Sequence, residues 1–388
     1  MGGAQAAAEP HMDFNLSDEQ QMLRDGAQRY LAEHYDFEAR KGLLASPAGF
    51  SQQQWQQFAD LGWLATGLPE DVGGLGFSFI ETTLIAEEMG RRLVVEPFAS
   101  TAILGARLFD RSGNAAIRME LLPLVAQGSL RLALAHGESS SRYDRSRVAA
   151  QARRTGDGYE IQGRKLMCFD APSADALIVS AVLDGSDGFA LFLVDRTAAG
   201  VTLEPYPLID DTRAADIRFD SVRVASAALL VPSQRGFDVL DDALDRLLLA
   251  RVAEALGGME RILDLTRDHL KNRAQFGQPL GRFQALQHRM AEMFVEVQET
   301  RSILFRGLAY IDAPAEERRA AVAAARIVAI AAGRVVGGQG IQLHGGVGMT
   351  EEYEVGHYFK RLLALEKAYG DSESHLQQLA RASRSEIT

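Results

Sequence analysis

The spacing of apolar positions changes twice along the chain and divides it into three parts. In the first part, runs such as "FSFIETTLIAEEMGRRL" repeat apolar residues at helical spacing. The segments "SDEQ" and "SQQQW" each place a serine, a common helix cap, three residues before a glutamine. Turn residues from Leu68 to Gly76 separate these helices. The pattern predicts an all-helical N-terminal domain over residues 12–131.

The second part has the composition of β-strands. The segments "DALIVSAVL", "GFALFLVD" and "AADIRFDSVRV" are short, rich in β-branched and aromatic residues, and separated by Gly, Asp and Ser turns. We expect a middle antiparallel β domain, sandwich- or barrel-like, over residues 132–233.

Helical spacing returns in the third part. The run "DDALDRLLLARVAEALGGMERILDLTRDHL" carries one apolar stripe, and a second stripe from Leu286 to Leu308 includes Phe294. An alanine-rich helix follows from about Glu316, with side chains small enough for close helix packing. Residues 234–388 are therefore predicted to form a C-terminal four-helix bundle, which makes the fold α+β and mostly α.

Composition narrows the kind of ligand. Of the 388 residues, 47% are hydrophobic and 24% charged, as in globular proteins, and the formal net charge is −11. An acidic chain is a poor partner for nucleic acid or for an anionic membrane surface, so a small organic ligand is expected.

Three local features bear on location. The single cysteine, Cys168, excludes internal disulfides and cysteine-cluster zinc sites, fits a cytoplasmic protein, and is expected to be buried. Arg326 and Arg334 interrupt the most apolar run, so that run is predicted to be a packed helix instead of a membrane span. Residues 1–11 lack the features of a signal peptide and are interpreted as a leader.

The segment "RAQFGQPLGRFQ" joins two strongly helical stretches and carries unusual chemistry for a short connection. The guanidinium of Arg273 can bind a diphosphate, the ring of Phe276 offers a flat apolar face, and a glycine permits close backbone approach. Alternatively, Arg273 caps the preceding helix and Phe276 fastens the loop to the core.

Four segments resemble those of the acyl-CoA dehydrogenase family: "PEDVGGLG", "YEIQGRKL", "RAQFGQPLGRFQ" and "IQLHGGVGMTEEYEVGHYFKR". The resemblance extends over the chain from Met12. The phrases "AHGESSSRYD" and "AYGDSESH" are similar to a branch that forms the small subunit of two-gene enzymes, such as pimeloyl-CoA dehydrogenase.

The resemblance implies FAD as the cofactor and α,β-desaturation of an acyl-CoA thioester, within lipid metabolism and β-oxidation, as the reaction. It also implies acyl-CoA as the substrate, a protein electron acceptor, and a tetramer of related chains, without a metal. In family members the ADP half of FAD is held, usually for the neighbouring subunit, at the positions of Arg273, Phe276, Gln284, Gln342, Leu343, His344, Gly345 and Gly346.

The positions that carry the family's catalytic base have no acid in this chain. One matches Gly370 and the other Leu247, so the catalytic residue stays unassigned, with Asp371 and Asp245 as weak candidates. The other interpretation of Asp371 is a helix cap or turn residue. That of Asp245 is a solvated or salt-bridged acid in the first turn of a helix.

The part of the family that contacts the flavin ring is also altered. Met167, Cys168 and Phe169 stand where relatives have Trp-x-Thr, which removes the usual hydroxyl donor. Glu138 matches an acid of the family's Thr-Glu sequence, but His136 and Gly137 depart from it. We interpret His136 as a hydrogen-bonding residue at a strand end.

Three functions follow from these matches and losses. The first is a subunit of an FAD-dependent acyl-CoA dehydrogenase whose homologous partner chain provides the base. The second is a self-sufficient homotetramer with a non-standard base, and the third is a non-catalytic, acyl-CoA-binding or structural protein on the same scaffold.

Overall fold

The computed structural model describes residues 15–385, with side chains to residue 381. The predicted leader, residues 1–11, lies outside the described residues. Helices occupy both ends of the described chain and a sheet occupies the middle, as predicted. The helices are α1 (Asp18–His34), α2 (Phe37–Ala45), α3 (Gln52–Asp60), α4 (Phe79–Arg91), α5 (Ala106–Arg111), α6 (Ala115–Ala126), α7 (Ser233–Asn272), α8 (Gln284–Ala309), α9 (Ala315–His344), α10 (Glu354–Lys367) and α11 (Ser372–Ser385).

Side-chain caps define where the N-terminal helices begin. The Ser17 hydroxyl accepts a hydrogen bond from the Gln20 backbone N–H, and the Gln20 side chain accepts one from the Ser17 N–H. Ser51 caps α3 through the backbone N–H of Gln54. Both serine caps are therefore confirmed. A π-helix at Ala99–Gly105, which the spacing did not predict, packs against α7 and β1.

The middle of the chain forms one eight-stranded sheet in the order β6-β7-β3-β2-β4-β5-β8, with β1 paired to β4. Strands β1 and β2 run parallel to β4, so the sheet is mixed and not purely antiparallel. Long connections separate β1 and β2 from β4, which allows the parallel pairings. The strands are β1 (Leu132–Ala135), β2 (Gln151–Thr155), β3 (Gly158–Phe169), β4 (Ala176–Leu183), β5 (Ala190–Asp195), β6 (Val201–Pro207), β7 (Arg213–Ala225) and β8 (Leu229–Val231).

The C-terminal part packs α9 against α7, α8, α10 and α11. The segment Ala315–Met349 is long and apolar enough to cross a membrane by length and composition, but 61% of its most apolar window is buried within the protein. Buried Arg326 donates to the carbonyls of Leu365 and neighbouring residues, which ties α9 to the end of α10. This is the packed helix that the two arginines indicate.

One apolar position of the predicted stripe on α8 is not in the core. Phe294 is 52% exposed and lines a surface groove with Val295 and Ile303. Helical spacing alone places a residue on a face, but which faces are covered depends on the neighbouring helices.

Candidate functional site

The segment between α7 and α8 is a tight hairpin that projects from the bundle. Strand β9 (Ala274–Gln275) pairs with β10 (Gln278–Pro279), and Phe276 and Gly277 form the two-residue turn. Both turn residues have positive φ, +54° for Phe276 and +80° for Gly277, which is the geometry of a type I′ turn. A phenylalanine in this region costs roughly 1–2 kcal/mol relative to a right-handed conformation. The backbone is thus strained at the aromatic residue.

The strained phenylalanine gains no core packing in return. Phe276 is 89% exposed, the highest value among the large apolar side chains that the structure describes. Its ring contacts only the edge of Phe283, at 6.1 Å between centroids, among the described ring pairs. The alternative that Phe276 fastens the loop to the core is therefore wrong. An exposed and strained aromatic side chain indicates a binding contact outside this fold.

Arg273 is equally available. Its backbone N–H closes the last turn of α7 by donating to the His269 carbonyl at 2.8 Å. Its exposed guanidinium makes no ion pair or hydrogen bond within the described part of the chain. The side chain is free to bind an anion, and the expected cap is made by the backbone alone.

The glycine-rich segment Gln342–Gly346 lies at the end of α9. Gln342, Gly345 and Gly346 are exposed, whereas Leu343 and His344 are buried. Gly345 has φ +63°, and a Cβ on Gly345 or Gly346 would meet no atom within 4 Å. The backbone here borders open space, which suits close approach of a ligand. Gln284, the first residue of α8, is also exposed.

Two stacked histidines join the hairpin to the glycine-rich segment. The rings of His269, in the last turn of α7, and His344 have centroids 4.5 Å apart. His344 Nδ1 contacts the Gly340 carbonyl at 2.7 Å, and its Nε2 lies 3.2 Å from the Tyr353 hydroxyl. The contact brings both segments to one end of the bundle. We call the group formed by Arg273, Phe276, Gln284 and Gln342–Gly346 the outer site.

A second region contains Phe169, from the predicted flavin-ring segment, and Gly370, at a predicted position of the catalytic base, and its side chains are packed together. The rings of Phe169, at the end of β3, and Tyr369, after α10, lie 5.0 Å apart. Tyr369 has φ +57° and Gly370 φ +147°. A Cβ at Gly370 would lie 2.7 Å from the His375 ring, so that buried imidazole occupies the direction of a side chain there. We call Phe169, Tyr369 and Gly370 the inner site.

The two acids considered as bases are engaged in structural contacts. Asp245 is fully buried and accepts from Arg145 at 2.7 Å and from Arg318 at 2.9 Å. It lies in the fourth turn of α7 and not in a first turn, because the helix begins at Ser233. Asp371 caps α11 by accepting from the Ser374 backbone N–H at 3.0 Å.

Three further residues stand where relatives have other residues, and all three are buried: Leu247, His136 and Cys168. Leu247 has no exposed surface and belongs to the central apolar core. His136, just past β1, bonds Ser180 at 2.9 Å. Burial, with Lys165 nearby, lowers the pKa of His136 to about 3, so that residue is neutral in the physiological range. Cys168 is buried as expected, and burial raises the pKa of its thiol to about 12.

Between α4, α7 and the sheet lies a small cavity of about 40 Å³, bordered by Phe169 and Asp170. Its walls combine apolar residues, such as Met89 and Phe98, with charged ones. Arg361 bonds Asp210 at 2.7 Å and Glu254 at 2.7 Å, and Arg251 is paired with Glu254. Ligand pockets are roughly 300–1,000 Å³, so this space is much smaller than a typical ligand pocket.

The charges in this cavity are fixed by one another. Burial raises the pKa of Glu254, but Arg361 and Arg251 outweigh it and hold that pKa below its usual range. Burial raises the pKa of Asp170, which accepts a hydrogen bond from Ser100. A paired carboxylate such as Glu254 is a poor proton acceptor because protonation would leave an arginine unpaired.

The structure therefore fits one half of FAD and not the other. The outer site offers a free guanidinium, an exposed ring and an open glycine backbone, which suit a diphosphate and its adenosine. At the inner site, Met167, Cys168 and Phe169 replace the residues that contact the flavin ring in relatives, and Phe169 packs on Tyr369. Groups of three or more potential metal ligands are absent among the described residues.

Several of these features escaped sequence reasoning. Positive φ at Phe276 was signalled only by Gly277 following it, and His269 carried no signal beyond its place one turn before Arg273. The ion pairs among Asp210, Glu254 and Arg361 join residues more than 100 positions apart. The order of charges along the sequence therefore does not predict these ion pairs.

Comparison with known proteins agrees with the family resemblance seen in the sequence. Models described as acyl-CoA dehydrogenase, N-terminal domain, and acyl-CoA dehydrogenase, C-terminal domain, match residues 17–129 and 234–383. The probable acyl-CoA dehydrogenase YngJ of Bacillus subtilis is 28% identical over 383 residues, which span 95% of this chain and 99% of that protein.

Two solved structures are similar over nearly their full length. One is the ChsE4-ChsE5 complex from Mycobacterium tuberculosis, with 27% identity, a TM-score of 0.87, and coverage of 96% of this chain and 99% of that chain. The other is a variant of the Tcur3481-Tcur3483 steroid ACAD, with 29% identity and a TM-score of 0.86. The match covers 95% of this chain and 99% of that chain.

Proposed function

We propose that this chain, which belongs to the acyl-CoA dehydrogenase family of FAD-dependent oxidoreductases, is a subunit that completes the flavin site of a homologous partner chain. The partner provides the base and the surface for the flavin ring. This chain provides the outer site. The proposal rests chiefly on one observation: Phe276 is strained and 89% exposed, beside an unpaired Arg273.

Each residue of the outer site has a separate task in this proposal. Arg273 binds the diphosphate through charge-assisted hydrogen bonds. Phe276 covers an apolar face of the bound cofactor, and the backbone at Gly345 and Gly346 approaches the diphosphate closely. FAD, when bound, accepts a hydride from the acyl-CoA substrate.

The state of the inner site supports a partner-supplied base. Asp245 and Asp371 are engaged by arginines and by a helix cap, and Gly370 has no room for a carboxylate. The cavity beside Phe169 is small, and the paired charges of Arg251, Glu254 and Arg361 form part of its wall. Acyl-CoA is therefore assigned to the partner's pocket, and an electron-transfer protein in the cytoplasm to the reoxidation of the flavin.

The similar structures support an assembly of two different chains. Two of them carry paired names, ChsE4-ChsE5 and Tcur3481-Tcur3483, and the first is described as a complex. A self-sufficient homotetramer would need a base that the described residues do not offer at either family position.

The test is to express this chain alone and then together with a family member encoded beside it, and to record the visible flavin spectrum and native mass. We expect a colourless chain alone and a yellow complex of both chains. A yellow homotetramer of this chain, active on acyl-CoA, would overturn the proposal. An Arg273→Ala variant controls for flavin bound elsewhere, since it should leave the complex assembled but paler.

A further inference from the structure

His269 lies beside the outer site, and its ring packs on another histidine. It belongs to the last turn of α7, four residues before Arg273, and is partly exposed. Its ring packs on buried His344 at 4.5 Å, with an angle of 37° between the rings. The ring nitrogens of His269 make no hydrogen bond within the described part of the chain.

Burial holds the pKa of the His344 ring behind it below its ordinary value, against the opposing effect of its hydrogen bonds. His344 Nδ1 lies 2.7 Å from the Gly340 carbonyl and therefore donates, since a carbonyl oxygen only accepts. Its Nε2 is then free to accept from the Tyr353 hydroxyl at 3.2 Å. Tyr353, His344 and His269 form a column of rings that runs from the bundle to the surface beside Arg273.

We propose that His269 is a further diphosphate-binding residue of the outer site, and that it takes up a proton when the diphosphate binds beside Arg273. The inference rests on the proposed function, because it concerns the same cofactor. It adds a residue at a position between the two segments of the outer site. It also gives that site a dependence on pH.

The charges around His269 explain why the proton arrives with the ligand. Burial lowers the pKa of His269, and His344 and Arg273 lower it further, so the free ring is neutral near pH 7. A bound diphosphate places two negative charges near the ring and favours its charged form. Among the charged groups on the packed elements, Arg261 bonds Glu354, Asp268 pairs with Arg267, and Arg289 bonds Gln339.

The sign of the effect follows from linkage. The pKa of His269 is higher in the bound state than in the free state, so binding takes up a proton between these two pKa values. Affinity is greatest at low pH and falls as pH rises through the free and then the bound pKa. An increase of one pKa unit on binding corresponds to about a tenfold loss of affinity across that range.

The experiment uses the assembly that carries flavin, stripped of its cofactor, whether that is this chain alone or its complex with a partner. FAD is titrated by fluorescence from about pH 5.5 to about pH 8, where a histidine changes charge. Proton uptake is measured in weakly buffered solution. We expect wild-type affinity to fall about tenfold across this range, with uptake of up to one proton.

Variants separate the contribution of His269 from the rest. His269→Gln should give a flat profile at the weak level, and His269→Lys, a permanent cation, a flat profile at the strong level. His34→Gln removes a histidine at the end of α1, remote in sequence from the outer site, and should keep the wild-type slope. Thermal midpoints verify that each variant is folded.

The two proposals fail in different ways. If Arg273→Ala binds FAD as wild type does at every pH, the proposed function is wrong. If Arg273→Ala weakens binding but His269→Gln keeps the wild-type slope and proton uptake, only the role of His269 is wrong. A wild-type profile without slope would likewise overturn the role of His269 and leave that of Arg273 intact.

Discussion

The outer and inner sites lie in the same chain but have opposite properties. At the outer site the Phe276 ring is exposed with only the edge of Phe283 beside it, the Arg273 guanidinium is unpaired among the described residues, and the backbone is strained at Phe276. At the inner site aromatic rings pack on each other, and each nearby carboxylate has a partner. A chain that binds cofactor only across an interface needs the first region and can fill the second.

Under the proposed function, this contrast is how a subunit keeps the fold and relies on its partner for half of the site. The closing of the inner site uses ordinary stabilising contacts: an aromatic pair, a helix cap and buried ion pairs. Of the exposed groups of the outer site, the Arg273 guanidinium has no such contact among the described residues, and Phe276 has only the edge of Phe283. The uncompensated backbone strain at Phe276 therefore indicates function more clearly than the missing catalytic residues do.

The largest effect on stability is expected from replacing Asp245, because each of its two arginine partners would lose an ion pair. Asp245→Asn should lower the free energy of unfolding by about 3–5 kcal/mol. Chemical denaturation measures this. Where the variant complex still folds at low temperature, its flavin content and turnover should remain, because Asp245 has no part in the chemistry. Loss of turnover in a variant of wild-type stability would instead restore Asp245 as a base.

Arg273 sharpens the comparison from the side of the outer site. Arg273→Ala should weaken FAD binding to the complex by about 10- to 150-fold, the range for a lost charged hydrogen bond. Since the guanidinium has no partner in the described chain, the thermal midpoint without cofactor should not change. Arg273→Lys keeps the charge and should recover part of the affinity. Unchanged affinity in both variants would remove the outer site from the cofactor.

Gly370 tests whether the inner site is closed. Gly370→Glu returns an acid to the family position, yet it should produce no dehydrogenation in this chain and should cost more than about 1 kcal/mol of stability. The reasons are φ +147° and a Cβ position 2.7 Å from His375. Acyl-CoA turnover by the isolated chain and its denaturation midpoint are the readouts. Activity gained from this one change would mean that the inner site is open.

Replacing Phe276 should have a smaller effect on FAD affinity, and the direction of the change in thermal midpoint is informative. Phe276→Gly removes the ring and relieves the strained φ, so FAD affinity should fall about 2- to 12-fold while the thermal midpoint stays level or rises. Phe294→Ala, which removes an exposed ring from α8, is the matched control and should leave flavin binding unchanged. A lower midpoint with unchanged affinity would make Phe276 a structural residue.

Much of the architecture was predictable because it depends on local pattern. Serine caps at Ser17 and Ser51 and the apolar spacing predicted helices that the structure contains, and β-branched segments predicted the sheet. Parallel pairing of β1 and β2 with β4 was not predictable, since nothing in a strand's composition specifies its neighbour.

The candidate site divides in the same way. The residue types and spacing of the hairpin indicated a diphosphate and a flat ligand ring. The sequence also showed that Gly370 and Leu247 stand where relatives have the catalytic acid. The ring of His375 beside Gly370 and the cluster around Asp245 come from packing between distant segments. The exposure of Phe294, on a face that was expected to be buried, has the same origin.

The most direct test of a site shared between two chains is to count the cofactor. Native mass spectrometry of the purified yellow complex, combined with flavin absorbance after denaturation, gives the number of FAD molecules for each pair of chains. One FAD for each pair is expected, because the proposed function has this chain complete the partner's site and bind no flavin ring of its own. Two FAD molecules for each pair would contradict the account, since the inner site would then hold a flavin.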